Sequence, residues 1–453
     1  MKKNLPAVVT VALLLITWEV TAQIIARPDI FPGVSRLFAT LGELFVSVSF
    51  YQSVATTILR GCAGILLSFV TACGSAILLS RYQWLYEGFR PILAIMRSIP
   101  VISFILLALI YLHPEGIPLI IAFLVMFPLL AENVTKGILQ LHPGYKAIAQ
   151  VFLIKGKNKL FQIYYPQLKP FLFSGLASAV GFGWRAIIMG EVLSQCESGI
   201  GSEMKRAQVF IEVPELMAWT IIAIIVSFIF DKGIRKAEQI KIPFVWSVGM
   251  KEIPVSNSGI RMECVGFSYP DKQVFSNYSH IFSRNKIYGI SAPSGKGKTT
   301  LLNLINGILQ PSGGDIQINR DYGTANVFQE PELLPYLSVM ENTILPLTTY
   351  KTQETAIKMA SHILKTLDIY TLKDSKPDEL SYGQQQRTAI ARALAFDSPF
   401  LLMDEPFKGF EPELTNKIIP FIRERQKATG QTILFTSHNQ NELRDLADNI
   451  IHL

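Results

Sequence analysis

The sequence predicts a two-part chain. Residues 1–240 are expected to form an all-α domain of six membrane-crossing helices, and residues 259–453 an α/β domain built around a phosphate-binding loop. Three observations predict this. Apolar residues make up 49% of the 453 residues and mean hydropathy is +0.32, yet 17% of residues are charged. The apolar excess lies before Ile240 and the charge after it, as in a membrane domain joined to a water-exposed one. Beyond residue 259, short β-like runs alternate with helical segments, the pattern of a largely parallel sheet.

From the N-terminus, residues 5–26, 54–79 and 171–193 each reach the ~20 residues that cross a hydrocarbon core. Residues 99–112, 117–139 and 216–230 have shorter unbroken apolar cores, which would also suit buried or re-entrant helices. Met1-Lys2-Lys3 before an apolar run has the look of a secretory leader. The run is long for one, and no small-residue cleavage site precedes Arg27-Pro28, so a retained first helix is expected.

Six crossings that start inside place Arg81, Arg90, residues 137–170, Lys232, Arg235 and Lys236 on the inner side, together with the C-terminal domain. Five would put that domain outside. Residues 137–170 hold Lys146, Lys155, Lys157, Lys159 and Lys169 and no acidic residue, which is the positive-inside bias. The net charge of +7 is therefore read as facing membrane lipid, not nucleic acid.

The four cysteines form no framework: Cys62 and Cys73 fall in an apolar span and Cys264 in the polar half, so free thiols are expected. Ionisable side chains inside spans are costly and so point to function. They are Glu19, Arg60, Glu132, Arg185 and Glu191. Glu19 and Glu191 lie near span ends, within reach of headgroups, and Arg60 can do the same or pair locally. Glu132 and Arg185 lie deeper, and Arg185 is expected to line a pathway where it would attract an anion.

Residues 241–258 lose periodicity and gather Pro243, Gly249 and Pro254, a linker. Beyond it, residues 260–269, 286–290, 400–403 and 432–435 read as strands, and 299–308 and 418–427 as helices. Ala292-Pro293-Ser294-Gly295-Lys296-Gly297-Lys298-Thr299-Thr300 follows a strand and opens a helix. Glycines let backbone N–H groups turn onto phosphate oxygens, Lys298 reaches the terminal phosphates, and the Thr299 hydroxyl suits Mg2+. Ala292 stands where the motif has its first glycine, which would cost about 1 kcal/mol if a positive φ were required there. The run Phe400-Leu401-Leu402-Met403-Asp404-Glu405 ends in two carboxylates. Asp404 is suited to the Mg2+ shell and Glu405 to orienting or deprotonating an attacking water.

Leu380-Ser381-Tyr382-Gly383-Gln384-Gln385-Gln386-Arg387 resembles the signature sequence of ABC transporter ATPases, and residues 259–453 match that family in order. The resemblance implies a P-loop NTPase domain of ABC type. Tyr269 looks like its adenine-stacking aromatic, Gln329 (in Val-Phe-Gln-Glu-Pro) like the glutamine linking Mg2+ to the membrane domain, and His438 (in Thr-Ser-His-Asn) like the switch histidine on the γ-phosphate. In the family two such domains enclose two ATPs, so Ser381, Gly383 and Gln384 would serve the ATP held by the loop of a second copy. Tyr382 replaces the usual glycine. Glu411 stands where the family's dimer-interface loop usually has Asp, which bears on communication between the two sites.

Residues 1–240 are similar to the permeases of the nitrate/sulfonate/taurine branch of bacterial ABC importers. The likeness rests on Arg97-Ser98-Ile99-Pro100, the six-span plan, and a loop ending in Tyr165-Pro166 with Pro170 beyond. Residues 329–335 also resemble this branch. In such permeases the loop carries a short helix that docks on the ATPase, and in one register Ala147 and Leu153 take the places of the usual Glu and Gly. A plain basic loop facing anionic lipid is the competing reading.

The resemblance implies ATP-driven import of a small anion or vitamin precursor through the cytoplasmic membrane, with the ATPase in the cytoplasm. It also implies a homodimer and a separate extracytoplasmic solute-binding protein. An exporter or lipid-flippase half-transporter is the alternative, and the short spans and modest loops count against it. A decayed ATPase is a third reading, opposed by the survival of Lys298, Thr299, Gln329, Asp404, Glu405 and His438.

Overall fold

The computed structural model describes residues 5–27, 29–241, 244–246 and 259–453. The expected linker, apart from residues 241 and 244–246, lies outside those residues, as do Met1-Lys2-Lys3. The chain forms two compact units: Met1–Gln140 with Leu168–Lys241, and Leu141–Gln167 with Ile242–Leu453. The units are therefore not the contiguous halves that composition suggested, because the lysine-rich loop belongs to the second.

The first unit is entirely helical. Among the described residues four helical stretches are long and apolar enough to cross a membrane: Val48–Arg81, Pro114–Leu139, Gly156–Ser194 and Val213–Gln239. A fifth span results if Gln83–Ser98 and Val101–Tyr111 count as one, although they meet at 91°. The bend falls at Pro100, which lacks an amide proton and holds the preceding Ile99 in an extended conformation. The helix Leu5–Ile25 corresponds to the first expected span, and the described residues within it include the apolar helix Ala12–Ile25. Among the described residues four or five crossings are therefore counted beside that helix.

Small residues let the long helices approach. At Gly64 a Cβ would meet the Ala122 methyl at 2.9 Å, and at Gly183 it would strike Met126 Cε. Glu191 is fully buried and held by the Arg60 guanidinium at 2.8 Å, the Thr57 hydroxyl at 2.9 Å and the Gly201 amide at 2.9 Å. Arg60 also pairs with Glu115. Glu19 accepts from the Val34 amide at 2.6 Å and so caps the helix Val34–Val46. These in-span charges are paired locally, as a low-dielectric interior demands.

The second unit holds two sheets. β1 (Ile260–Tyr269), β2 (Lys272–Phe282) and β4 (Gly313–Gln317) form an antiparallel sheet in the order β2-β1-β4. β3 (Ile287–Ser291), β5 (Ala325–Val327), β6 (Phe400–Asp404), β7 (Thr432–Thr436) and β8 (Asn449–His452) form a parallel sheet in the order β5-β6-β7-β3-β8. β3, β6 and β7 are continuous apolar runs buried on both faces, as central parallel strands must be.

Residues 141–167 pack into the same unit. The helix Pro143–Val151 buries Ile148, Ala149 and Val151, and Phe152, Ile154 and Ile163 join one apolar cluster with Phe396, Leu401 and Phe435. Backbone and side-chain bonds fasten the loop. The Thr324 amide donates to Val151 O at 2.9 Å, Gln150 to Gly307 O at 2.9 Å, and the buried Asn158 to the Thr348 hydroxyl at 2.9 Å. This loop is docked, with its lysines at the edge; it is not a free basic surface.

Candidate functional site

In a parallel α/β sheet ligands bind beyond the carboxyl ends of the strands. β3, β6 and β7 end side by side, with Asp404 opposite Thr436 in register. From β3 the chain turns through residues 292–297 into the helix Lys298–Ile305. Two glycines make that turn: Gly295 has φ +75° and Gly297 φ +96°. A Cβ on Gly297 would also strike Val274 and Phe275. Ala292 is not among the residues of positive φ, so the alanine costs nothing in backbone strain. The tension expected at that position is absent because the left-handed turns fall later in the loop.

The reactive groups converge. Lys298 is buried; its Nζ donates to Ala292 O at 2.8 Å and lies 3.1 Å from His438 Nε2. The same Nε2 lies 3.1 Å from Glu405 Oε1. The Thr299 hydroxyl donates to Asp404 Oδ2 at 2.5 Å, while Asp404 Oδ1 accepts from the Thr436 hydroxyl at 2.6 Å. Glu405 has φ +46°, a strained backbone for a side chain with a Cβ. Its amide is tied to Thr436 Oγ1 at 2.9 Å.

Tyr269, Ser294, Gly295, Gly297, Lys298, Thr299, Thr300, Gln329, Glu405 and His438 line one cavity of about 290 Å3. The Tyr269 hydroxyl is 3.5 Å from Thr300 Oγ1. Ala292, Pro293 and Lys296 shape the loop without lining that cavity. A cation, a hydroxyl beside a carboxylate, and a second carboxylate beside a histidine suit a polyphosphate with Mg2+.

Ser381, Gly383 and Gln384 are not brought into this cavity. Ser381 caps the helix Tyr382–Ala395 and makes a reciprocal capping box with Gln384, whose Oε1 accepts from the Ser381 amide at 2.9 Å. Only Tyr382 reaches across, its hydroxyl donating to Gln329 O at 3.3 Å. Arg185 lines a cavity of about 810 Å3 in the first unit, walled chiefly by apolar side chains such as Trp184, Met204 and Phe228. Glu132 does not line it; it pairs with Arg97 and, at 2.8 Å, with Lys136. The two deep charges therefore do not form one site.

Two residues lining the nucleotide cavity, and Thr436 behind it, were given no role in the sequence. Lys272 lies on its rim and donates to Gly295 O at 2.9 Å; its position just past Tyr269 was the available signal. Val274 gives a wall. Thr436 opens the Thr-Ser-His-Asn run quoted for His438, but nothing in the sequence showed that its hydroxyl ties Asp404 to the Glu405 amide.

Known proteins share these features. Residues 275–408 match the family model described as ABC transporter. Residues 64–231 match the model described as binding-protein-dependent transport system inner membrane component. The tungstate uptake system ATP-binding protein of Peptoclostridium acidaminophilum is 37% identical over 193 residues, covering 41% of this chain and 90% of that protein. The chain belongs to the ABC transporter family.

Other similar ABC proteins include the energy-coupling factor transporter ATP-binding protein of Mycoplasma pneumoniae. It is 32% identical over 200 residues, 40% of this chain and 66% of that protein. The spermidine/putrescine import ATP-binding protein of Legionella pneumophila is 36% identical over 196 residues, 41% of this chain and 53% of that protein. The chain thus spans about half to two-thirds of the length of these two relatives. The inner-membrane-component match and the apolar helices make this ABC chain an integral membrane protein, with a helical permease domain and an ABC ATPase fold.

Proposed function

We propose that this chain is an ATP-driven importer whose permease and motor are fused, working as two copies with a separate extracytoplasmic solute-binding protein. The observation that carries the reading is the docked loop. Residues 141–167, which the sequence places between two membrane helices, share one apolar core with the ATPase sheet. The inner-membrane-component match supports import over export, and the resemblance at Arg97–Pro100 and residues 329–335 supports a small anionic or vitamin-precursor solute. The ATPase would face the cytoplasm beneath a six-span permease.

At the site, Lys298 would leave its Ala292 carbonyl for phosphate oxygens, with the amides of residues 294–300 around them. Mg2+ would be held by Thr299 and Asp404 with Gln329, and when bound it neutralises charge on the phosphates. Glu405 would orient or deprotonate the attacking water, and His438 would hold the terminal phosphate between Lys298 and Glu405. Ser381, Gly383 and Gln384, which do not line the cavity of their own loop, would complete the site of the second copy. Arg185 would draw an anion into the apolar cavity it lines.

Uptake by vesicles containing the purified chain, with the partner binding protein and the radiolabelled solute it captures, tests the reading. Uptake should require ATP and vanish in Glu405→Gln. ATP-driven movement of solute without the binding protein, or outward, would overturn it.

A further inference from the structure

Arg392 lies on the helix Tyr382–Ala395 and is fully buried. Among the described residues no carboxylate lies within ion-pairing distance of it. Its Nη1 donates to Glu332 O at 2.9 Å and its Nη2 to Pro331 O at 3.1 Å. Its guanidinium carbon is 5.5 Å from the centroid of the Phe152 ring, a cation–π distance. Burial pulls its pKa down to about 10, opposed by Glu332 and Tyr145, so it remains a cation at neutral pH. A buried charge without a counter-ion is costly, and an apolar side chain of similar volume would avoid that cost. The charge therefore has another use.

What it grips is the turn that carries Gln329. Three residues beyond Gln329, Glu332 has φ +44°, a strained backbone in a residue with a Cβ that needs outside support. Pro331 beside it has its φ fixed by the ring, so the two gripped carbonyls set how the turn leaves β5. On its other side Arg392 meets the docked loop. Phe152 packs edge-on against Phe396 at 5.5 Å, and His142 Nδ1 lies 3.4 Å from the Glu332 carboxylate.

We propose that Arg392 is a positioning residue that fixes the Gln329 turn in its catalytic place and, through Phe152, ties that turn to the loop between the membrane helices. Displacement of the loop moves Phe152 and the guanidinium together, and with them the gripped carbonyls of the turn that carries Gln329. This inference rests on the reading of the site as an ATPase.

The test is a double-mutant cycle on the full chain in phospholipid vesicles with MgATP. Arg392→Lys keeps the charge but loses the fork; it should lower kcat about ten-fold and leave the KM for ATP within about two-fold. In a Gln329→Ala background the same change should cost less than about two-fold, because the group being positioned is gone. A purely structural role would give the same loss in both backgrounds, and that result, or an unchanged kcat in the single variant, overturns the proposal. If Arg392→Lys does not fold, Phe152→Leu keeps the apolar fill and removes the ring face. It should cost about three-fold alone and nothing beside Gln329→Ala, and an additive loss there overturns the proposal equally. A parent chain that hydrolyses no ATP would instead overturn the ATPase reading itself.

Discussion

Thr436 offers a sharp test of how the site is held. Its side chain is fully buried and makes two bonds: it donates to Asp404 Oδ1 at 2.6 Å and accepts from the Glu405 amide at 2.9 Å. Valine has the same shape without the hydroxyl. Thr436→Val removes a charge-assisted bond of about 1.5–3 kcal/mol and leaves the half-buried Glu405 amide without its partner at a cost of about 1 kcal/mol, so the loss is about 2.5–4 kcal/mol. For a unit of this size that lowers Tm by roughly 5–16 °C. Thr436→Ser keeps the hydroxyl and loses only a methyl, about 0.8 kcal/mol. Scanning calorimetry of the full chain, following the ATPase unit, should rank parent, Ser and Val in that order. If Val and Ser unfold within about 2 °C of each other, Thr436 is not the tie between Asp404 and Glu405.

Other outcomes follow from the same geometry. Ala292→Gly should lower stability by about 0.5–1 kcal/mol and leave the KM for ATP unchanged, because no positive φ is needed there and glycine only loosens the unfolded chain; a gain in stability on thermal unfolding would contradict this. Lys298→Ala should abolish binding of a fluorescent ATP analogue, since the buried ammonium is the cavity's deepest cation; retained binding contradicts its role. Glu332 holds its proton above the ordinary carboxylate range, chiefly through burial, against the pull of His142 and Arg392. The folded chain therefore binds that proton more tightly than the unfolded one, and stability is lost as pH rises through the shifted value. Relative to the parent, Glu332→Gln should gain Tm as pH rises above the ordinary carboxylate range, and a constant difference across the titration would refute the shift.

Much of the site was legible because its chemistry is local. The loop 292–300 and the Asp404-Glu405 strand end each need only a short run of residues, and each lies at the strand or helix end the sequence placed it on; the signature at Ser381 was legible as a motif, but its helix-capping role was not. The antiparallel sheet was less visible. β2 is a polar run in which buried and exposed positions barely alternate, and β4 opens on two glycines. The break at Pro100 was not legible: the apolar run 99–112 reads as one short crossing, whereas the amphipathic helix Gln83–Ser98 precedes it at a right angle. The docking of loop 141–167 was legible through the family resemblance alone, because its lysines equally suit a surface facing anionic lipid. Its fixing residues are Asn158, Gln162 and Phe152, whose partners lie far along the chain, with Gln162 donating to Val245 O at 2.7 Å. Leu153, placed in register with a family glycine, has φ +52°, the conformation glycine adopts freely. Arg392 was hidden for the same reason as Asn158, since in sequence it reads as one more polar position on a helix.

The most direct measurement is ATP hydrolysis by the purified full chain in phospholipid vesicles, as parent and as Glu405→Gln. The account predicts hydrolysis by the parent that rises cooperatively with ATP, as sites shared between two copies require, and none above background in the variant, which still binds ATP. Hydrolysis that survives in Glu405→Gln would contradict the assignment of the water-activating carboxylate beside His438 and Lys298, and with it the motor this structure describes.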